Sequence, residues 1–328
     1  MSRRKLRILI VGAGDVARRL TAPDSDAGRN PLSHRAQWFG LARSVATADQ
    51  LRSAGILPIS GDLDRRTSLK RAGALARSMS AVLHLAPPPG EGADDPRTRR
   101  WLAASSARPQ IRKHSTLQRR LPSPRRPLRK LRNVYVSTTG VYGDCAGERI
   151  DETRRARPAN ARAKRRVDAE DRLRQSRGQR FTILRAPGIY AAERLPVERL
   201  RAGTPALAAE DDVFSNHIHA DDLARIVWLA AFRGRANRVV NAVDDGELKM
   251  GEYFDLVAQA TSLPRPPRLP RAELVNRVSP MLYSFMSESR RIGNARMKLE
   301  LRARLKYPTP ADFLRQMKPA AALQRVLI

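Results

Sequence analysis

The sequence predicts an α/β protein with a doubly wound parallel sheet and a smaller C-terminal domain. The apolar run Leu6–Val11 is typical of a strand buried on both faces. A glycine turn follows it at once, and a segment from Arg18 onward can form a helix. Short apolar strands then alternate with helix-length segments over residues 1–185, and this alternation indicates successive βαβ units.

The remaining elements follow in chain order. Short apolar or β-branched runs predict strands at residues 39–42, 56–59, 81–86, 134–139 and 181–185. The segments between them predict helices at residues 48–54, 69–77 and 161–170.

Two stretches interrupt the alternation. Residues 21–34 contain two prolines and no apolar periodicity, which predicts a loop after the first helix. Residues 97–132 carry 13 basic side chains, no acidic one and four prolines, so they cannot form one regular helix. The second half is expected to be a flexible, solvated loop. A nucleic-acid-binding arm is less favoured because Trp101 is the only aromatic residue among these basic side chains.

Composition excludes several classes of protein. Of 328 residues, 41% are hydrophobic, which is too many for a mainly disordered chain. A single cysteine, Cys145, excludes an intrachain disulfide framework and a cysteine-based zinc site. No run of about 18 apolar residues predicts a membrane helix, and the apolar stretch at residues 8–11 is too short for a signal peptide. The expected location is the cytoplasm.

The net charge is +31, from 63 basic and 32 acidic residues. Such a charge attracts nucleic acids and other polyanions without specificity. Arginine outnumbers lysine by 54 to 9, and arginine, alanine, proline and glycine all have GC-rich codons, so a genomic base-composition bias explains the charge without a function. We therefore expect nucleic acid to bind only non-specifically.

The turn after the first strand has the pattern G-x-G-x-x-A. Gly12 permits a tight turn, and Gly14 lets the backbone approach a pyrophosphate group. The small Ala17 lets helix and strand pack closely, while the start of the helix offers N–H groups to phosphates. In this strand–turn–helix context, the pattern predicts a dinucleotide site, formed by Gly12, Gly14, Asp15, Val16 and Ala17, rather than a chance glycine turn.

Six segments in order resemble the extended short-chain dehydrogenase/reductase superfamily, in its NAD-dependent epimerase/dehydratase branch. They are VGAGDVA, SGDLD, HLAPPP, VSTTGVYGD, LRAPGIYA and NHIHADDLA. Residues 279–314 resemble the ending of an atypical bacterial, epimerase-like subgroup. The resemblance implies a Rossmann domain that binds a nicotinamide dinucleotide, formed by residues 1–185 with 214–245 returning to it. It also implies a smaller substrate-capping domain, formed by residues 186–213 and 246–328, and a small substrate that can be nucleotide-linked.

The resemblance also assigns further cofactor contacts. Asp62 and Leu63 correspond to the segment beside the adenine ring, and Leu85, Ala86 and Pro87 to the loop beside the ribose. After the second strand, Arg43 and Ser44 stand where an acidic residue would select NAD. Because a guanidinium and a hydroxyl suit a phosphomonoester, NADP is favoured over NAD.

The family's reaction uses a hydroxyl residue on the fifth strand and a Tyr-x-x-x-Lys pair on the next helix. Thr138 supplies the hydroxyl, but Arg162 and Arg166 stand at the positions of the tyrosine and the lysine. A permanently protonated guanidinium cannot act as a general acid or base near neutral pH. We take Thr138, Arg162 and Arg166 as the candidate catalytic residues and expect a degenerate active site; the alternative is a merely solvated helix face.

The histidines point to structural roles. His84 ends an apolar strand and is expected to be a core or loop residue with satisfied hydrogen bonds rather than a base. His217 and His219 lie two residues apart without a third defined ligand. No metal site is predicted. Three functions remain open from the sequence: an NAD(P)-dependent, epimerase-like oxidoreductase, a non-catalytic NADP-binding sensor or scaffold, and, least favoured, a nucleic-acid-binding protein.

Overall fold

The computed structural model describes residues 5–22, 36–106, 132–176 and 179–317. Most of the loop predicted at residues 21–34 and of the basic stretch 97–132 therefore lies outside the described residues. At the start of that stretch, Pro96–Ser106 is a helix, and Arg132 at its end begins a strand.

Regular elements alternate along the described chain. The strands are β1 Leu6–Val11, β2 Ala36–Ala42, β3 Leu57–Ser60, β4 Ala81–His84, β5 Arg132–Thr138, β6 Arg149–Ile150, β7 Arg180–Ala186, β8 Gly188–Tyr190, β9 Ala206–Leu207, β10 His217–His219, β11 Arg238–Asn241, β12 Arg268–Leu269 and β13 Arg291–Ile292. The α-helices are α1 Asp15–Thr21, α2 Val45–Ser53, α3 Lys70–Ala76, α4 Pro96–Ser106, α5 Ala161–Gln175, α6 Val197–Arg201, α7 Ala220–Arg233, α8 Met250–Ala260, α9 Arg271–Leu274, α10 Pro280–Met286, α11 Ala295–Glu300 and α12 Pro310–Gln316. Short 3-10 helices span Arg66–Leu69, Thr139–Tyr142 and Ala192–Arg194.

Seven parallel strands form the central sheet in the order β3-β2-β1-β4-β5-β7-β11. The chain winds outward from β1 to β3, then returns to place β4 on the other side of β1. This reversal makes the β1/β4 boundary the topological switch point, and ligands of such sheets bind at the carboxyl ends of the strands there. The predicted doubly wound α/β fold is confirmed.

Both faces of the sheet are covered, which explains why β1 is apolar throughout. Ile8 and Ile10 pack on one face with residues of α1 and α7, while Leu9 and Val11 pack on the other with Leu69 and α3. All four side chains are fully buried. A continuous β-branched and leucine-rich run is the pattern expected for a strand buried on both sides.

A second apolar cluster lies outside the sheet. Residues of α6, α8, α9, α10 and α12 surround a core that includes Tyr190, Leu207, Phe254 and Phe313. These helices come from chain segments after β7, and they stand beside the carboxyl end of the sheet. The described residues contain no helix that is both long and apolar enough to cross a membrane.

Several boundaries differ from the prediction for identifiable reasons. β4 ends at His84, two residues early, because the N–H groups of Leu85 and Ala86 both donate to the carbonyl oxygen of Val11, at 2.8 and 2.9 Å. β11 was missed because four residues, two of them half-buried, give no clear pattern. The predicted domain boundaries remain a prediction.

Candidate functional site

The glycine turn after β1 has the geometry that its residues predict. Gly12 has φ +93°, and a Cβ there would lie 2.3 Å from the backbone nitrogen of Ala86, so only glycine fits. Gly14 caps α1, and a Cβ there would meet no atom within 4 Å. Ala17 is fully buried against the sheet. Gly12 is therefore required by the fold, whereas the space above Gly14 is open to a ligand.

That open space is a cavity of about 260 Å³ at the switch point. Its lining residues come from the glycine turn and from the loops after β4, β5 and β7. They are Gly12, Gly14, Asp15, Val16, Ala17, Leu85, Val136, Ser137, Thr138, Arg166, Ala186, Pro187, Ile189, Arg194 and Leu223. Six predicted cofactor residues are thus together at one cavity.

Asp15 places a carboxylate beside this cavity, but two arginines offset its charge. The Nε of Arg19 donates to Asp15 Oδ1 at 3.1 Å, and Arg194 donates to Oδ2 at 3.4 Å. Arg19 also pairs with Asp221 and Glu193. A phosphate near the turn would consequently meet a paired carboxylate rather than a free negative charge.

The other predicted cofactor residues lie nearby but outside this cavity. Ala86 packs against Gly12, and Pro87 lines a second cavity described below. Arg43 is exposed directly after β2, and the Oγ of Ser44 accepts the first-turn N–H of Thr47 at 3.2 Å as the cap of α2. After β3, Asp62 Oδ1 accepts from the N–H of Asp64 at 2.9 Å, and Leu63 packs in the core.

A larger cavity of about 940 Å³ adjoins the first. Its walls are the loop after β4, the start of α5, the loop after β7 and helices α6, α8 and α10. The two cavities share Thr138, Arg166, Pro187, Ile189 and Arg194. Two molecules, one bound in each cavity, would therefore meet at these shared residues.

Thr138 ends β5 at this junction. Its Oγ1 accepts the N–H of Gly140 at 3.3 Å, which starts the 3-10 helix Thr139–Tyr142. The hydroxyl proton is not committed by that contact, so Thr138 can still donate to a ligand.

Arg162 and Arg166 both line the larger cavity, one helical turn apart on α5. Asn160 caps this helix and fixes its start, because its Oδ1 accepts the N–H of Ala163 at 2.9 Å. Arg166 points toward β5 and donates to the Tyr135 hydroxyl at 3.0 Å and to the Val136 carbonyl at 2.8 Å. Arg162 instead lies 4.1 Å from the ring centre of Phe285. The structure thus brings both arginines to one cavity with Thr138.

Tyr135 and Tyr142, which lie close to the junction, are buried, and their hydroxyl groups are hydrogen-bonded. Burial raises the pKa of Tyr135 to about 12. Burial also raises the pKa of Tyr142, whose hydroxyl donates to Asn241 Oδ1 at 2.8 Å. Neither side chain lines either cavity. Tyr253 does line the larger one, and burial raises its pKa too.

The histidines lie in the core. His84 is buried as predicted, but neither of its ring nitrogens has a hydrogen-bond partner among the described residues, so the expected hydrogen bonds are not found. Burial, with the Arg166 charge, lowers the pKa of His84 to about 3, and burial lowers those of His217 and His219 to about 4. His217 lines the larger cavity and stacks on Tyr253 at 4.2 Å between ring centres. Across the described residues, no three His, Cys, Asp or Glu side chains are grouped so that they could hold a metal ion.

The sequence analysis missed four arginines that line the larger cavity, namely Arg290 and three others: Arg165, Arg194 and Arg199. Arg165 is buried and donates to the carbonyls of Gly90 and Gly92, both at 2.7 Å, which holds the loop after β4 in place. Among 54 arginines, nothing in the local sequence distinguishes these three. Their positions follow only from how α5 and the segment after β8 pack on the sheet.

Comparisons with known proteins identify the fold. No protein-family model and no curated protein matches the chain. Among solved structures, a functionally unknown conserved protein from Silicibacter pomeroyi is 23% identical with a TM-score of 0.70, and the match covers 97% of this chain and 98% of that one.

Two similar structures belong to named enzymes. UDP-glucose 4-epimerase from Thermotoga maritima, solved with UDP-glucose, is 16% identical with a TM-score of 0.70, covering 98% of this chain and 100% of the other. dTDP-glucose 4,6-dehydratase from Bacillus anthracis, solved with NAD, is 14% identical with a TM-score of 0.69. The match covers 95% of this chain and 94% of the other. The described part of the chain therefore has the fold of these epimerase and dehydratase structures.

Proposed function

We propose that this chain is an NAD(P)-binding oxidoreductase of the epimerase/dehydratase type, acting on a small substrate, nucleotide-linked compounds included. The observation that carries the proposal is the junction of the two cavities at Thr138 and Arg166. One cavity contains the glycine turn of the dinucleotide pattern, and the other is large enough for a substrate. The similar epimerase and dehydratase structures support the same function.

The residues of the smaller cavity fit a dinucleotide. The open space at Gly14 would admit a pyrophosphate group, with Asp15, Val16 and Leu85 around it. The adenosine end would then extend toward Asp62 and Leu63, at the end of β3. When bound, the dinucleotide supplies hydride transfer, while the chain's own residues hold and orient the reactants.

We propose NADP rather than NAD as the cofactor. Arg43 follows β2, where an acidic residue would otherwise accept from the ribose 2′-hydroxyl. Its exposed guanidinium is available to a 2′-phosphate, and the Ser44 hydroxyl lies beside it.

The chemistry of the junction supports a degenerate active site. Thr138 can orient a substrate hydroxyl or carbonyl group, and Arg166 can stabilise negative charge beside it. Neither Arg162 nor Arg166 can exchange a proton near neutral pH, because a guanidinium stays protonated. The chain would thus bind a dinucleotide without the Tyr-Lys chemistry of the family, as in the epimerase-like bacterial subgroup that the sequence resembles.

A second candidate function is a non-catalytic NADP-binding sensor or scaffold. It is favoured by the high pKa of Tyr253 and the low pKa of His217 in the larger cavity, since neither group would exchange a proton near pH 7. A role in nucleic-acid binding has only the net charge in its favour, and a cytoplasmic location remains a prediction.

Calorimetric titration with NADPH and NADH, at low and at high salt, tests the proposal. We expect micromolar binding that persists at high salt and is lost in Gly14→Val, because a Cβ there would meet no protein atom within 4 Å and the side chain would occupy the open space. Gly12→Ala is the contrasting variant, because its Cβ would clash with Ala86 and lower the melting temperature. Binding of both dinucleotides by Gly14→Val at wild-type affinity would contradict the proposed site. A screen of carbonyl and nucleotide-sugar substrates for NADPH oxidation then separates the enzyme from the sensor.

A further inference from the structure

The walls of the larger cavity are strongly cationic. Six arginines line it, against one carboxylate, that of Glu288. They are Arg162, Arg165, Arg166, Arg194, Arg199 and Arg290. The excess of five positive charges is local to this cavity, and it raises the concentration of anions there beyond the effect of the net charge of the chain.

Four of the six arginines are already engaged. Arg165 is held by two loop carbonyls, and Arg166 by Tyr135 and Val136. Arg290 pairs with Glu288 at 2.6 Å, and Arg194 reaches Asp15 at 3.4 Å. These four guanidiniums have structural partners that account for their presence.

Arg162 and Arg199 differ from the other four. Within the described part of the chain, neither side chain has a hydrogen bond or a carboxylate within 4.0 Å. Each lies over an aromatic ring instead: Arg162 is 4.1 Å from the centre of Phe285, and Arg199 is 5.4 Å from that of Phe254. Burial lowers the pKa of both guanidinium groups, and for Arg162 the charge of Glu288 opposes this shift without cancelling it.

A guanidinium stacked on a ring keeps its N–H donors free at its edge. That edge matches a carboxylate or a phosphate, which it can bind through two parallel hydrogen bonds. We propose that Arg162 and Arg199 are the substrate-anion residues of this cavity, and that the substrate carries an oxyanion group, carboxylate or phosphate, which they bind. The assignment of the bound molecule as substrate rests on the proposed function, whereas the anion site itself does not.

Small probes test the site in the full-length protein. Malonate, inorganic phosphate and the neutral malonamide are titrated by calorimetry at constant ionic strength. We expect malonate or phosphate to bind with a stoichiometry near one and malonamide not to bind. Arg162→Gln and Arg199→Gln each remove one charge-assisted contact between a guanidinium and the anion. Each variant should therefore bind the anion about tenfold more weakly, or weaker still.

Arg71→Gln is the matched control, since it removes an exposed positive charge on α3, away from both cavities. It should leave anion binding unchanged. Melting curves of the variants should differ little from wild type, because Arg162 and Arg199 hold no other element by a hydrogen bond and each loses only a ring contact. Dependence of malonate binding on the pair assigns a carboxylate, and dependence of phosphate binding assigns a phosphate. Equal weakening in Arg71→Gln, or equal binding of malonamide, would overturn the proposal.

The same titrations separate this inference from the proposed function. Arg199 lines only the larger cavity, so Arg199→Gln should retain wild-type affinity for NADPH while losing the anion. Pair-dependent anion binding without any dinucleotide binding would refute the proposed function and leave the anion site standing. Dinucleotide binding without pair-dependent anion binding would refute only the anion site.

Discussion

Arg166 donates to the hydroxyl of Tyr135 at 3.0 Å, and its guanidinium carbon lies 5.7 Å from the centre of the same ring. The bond joins α5 to β5 directly beneath the junction of the two cavities. Because the same Arg166 nitrogen also donates to Val136, the side chain is fixed by two contacts at its inner end. This anchoring determines which donors Arg166 can offer to a ligand.

Removing the hydroxyl tests how much the anchor stabilises the fold. Tyr135→Phe should lower the free energy of unfolding by about 1 kcal/mol, the usual net value of one hydrogen bond. The ring packing would remain, so the loss should stay below that of a core truncation. Urea unfolding at pH 8 measures it, and a loss of several kcal/mol would show that the hydroxyl organises more than one contact.

The same variant has a predictable pH dependence. The folded pKa of Tyr135, about 12, lies above the unfolded value of about 10. A raised pKa means stability that is fully present below the unfolded pKa and is lost as the pH rises toward the folded one. Wild type should therefore lose stability relative to Tyr135→Phe between about pH 10 and pH 12. Parallel curves over that range would contradict the assigned pKa.

His84 should make the protein sensitive to acid. It is 1% exposed, and its ring lies 5.3 Å from that of Tyr135, centre to centre. Among the residues that the structure describes, neither ring nitrogen of His84 has a hydrogen-bond partner. The folded pKa of about 3 lies below the unfolded value of about 6.5, so its contribution is present above pH 6.5 and is lost as the pH falls toward 3.

His84→Leu removes this titration and fills the same apolar site. We expect the variant to gain stability over wild type by about 1.4 kcal/mol per pH unit below pH 6.5. At pH 7.5 the variant should already be at least as stable as wild type, because the neutral ring buries two nitrogens without hydrogen-bond partners. Unfolding curves at pH 7.5, 6 and 5 measure the difference. An unchanged difference across these values would mean that the folded-state pKa of His84 is close to its unfolded value.

The sequence predicts the sheet well because its strands are buried on both faces. Runs such as Leu6–Val11 exclude alternating polar residues, and that pattern is local. The glycine turn is equally local, since Gly12 is required by φ and by the approach of Ala86. Strand pairing order is not local, and β11 was missed because it is short and lies at the sheet edge.

The candidate site was only partly predictable. The sequence indicates Thr138, Arg162 and Arg166 through the resemblance of their segments to the family's active-site strand and helix. Arg199 reaches the cavity because α6 packs on α8, where its side chain stacks on Phe254. This packing is tertiary, so the sequence does not indicate it. The same holds for His84, whose unpartnered nitrogens cannot be inferred from an apolar strand.

Glu170 and Arg185 form a buried ion pair between α5 and β7. Arg185 Nε and a terminal nitrogen donate to the two oxygens of Glu170, at 3.1 and 2.7 Å, and the side chains are 4% and 1% exposed for arginine and glutamate. Burial opposes both charges, but their mutual hydrogen bonds prevail, so the pKa of Glu170 is lowered and that of Arg185 is raised.

Breaking this pair should be strongly destabilising. Arg185→Met leaves Glu170 with the half-exposed Arg174 as its remaining ion-pair partner among the described residues, and we expect a loss of about 3–5 kcal/mol. The double variant Glu170→Leu with Arg185→Met should lose less than either single change, because no buried charge then remains unpaired. A double-mutant cycle by urea unfolding measures the coupling. Additive losses would show that the pair is not coupled.

Cofactor preference depends on Arg43, the exposed residue that follows β2. If its guanidinium pairs with a 2′-phosphate, Arg43→Asp should weaken NADPH binding by roughly 10- to 100-fold, the equivalent of one charge-assisted contact of about 1.5–3 kcal/mol. The new carboxylate can accept from a 2′-hydroxyl, so NADH should bind more tightly than in wild type. Ser44→Ala is a poor probe of the same contact, because it also removes the cap of α2 and about 1 kcal/mol of stability.

Arg52→Asp provides the matched control for this charge reversal. Arg52 lies near the end of α2, the helix that follows Arg43. Its side chain is 60% exposed and forms an ion pair with Asp49. Because the chain is so basic, any loss of positive charge weakens the attraction of NADPH slightly, and the control measures that general effect. Calorimetric titration of both variants with NADPH and NADH gives the comparison. Equal losses in the two variants, or an unchanged NADPH affinity in Arg43→Asp, would remove Arg43 from the cofactor site and with it the preference for NADP.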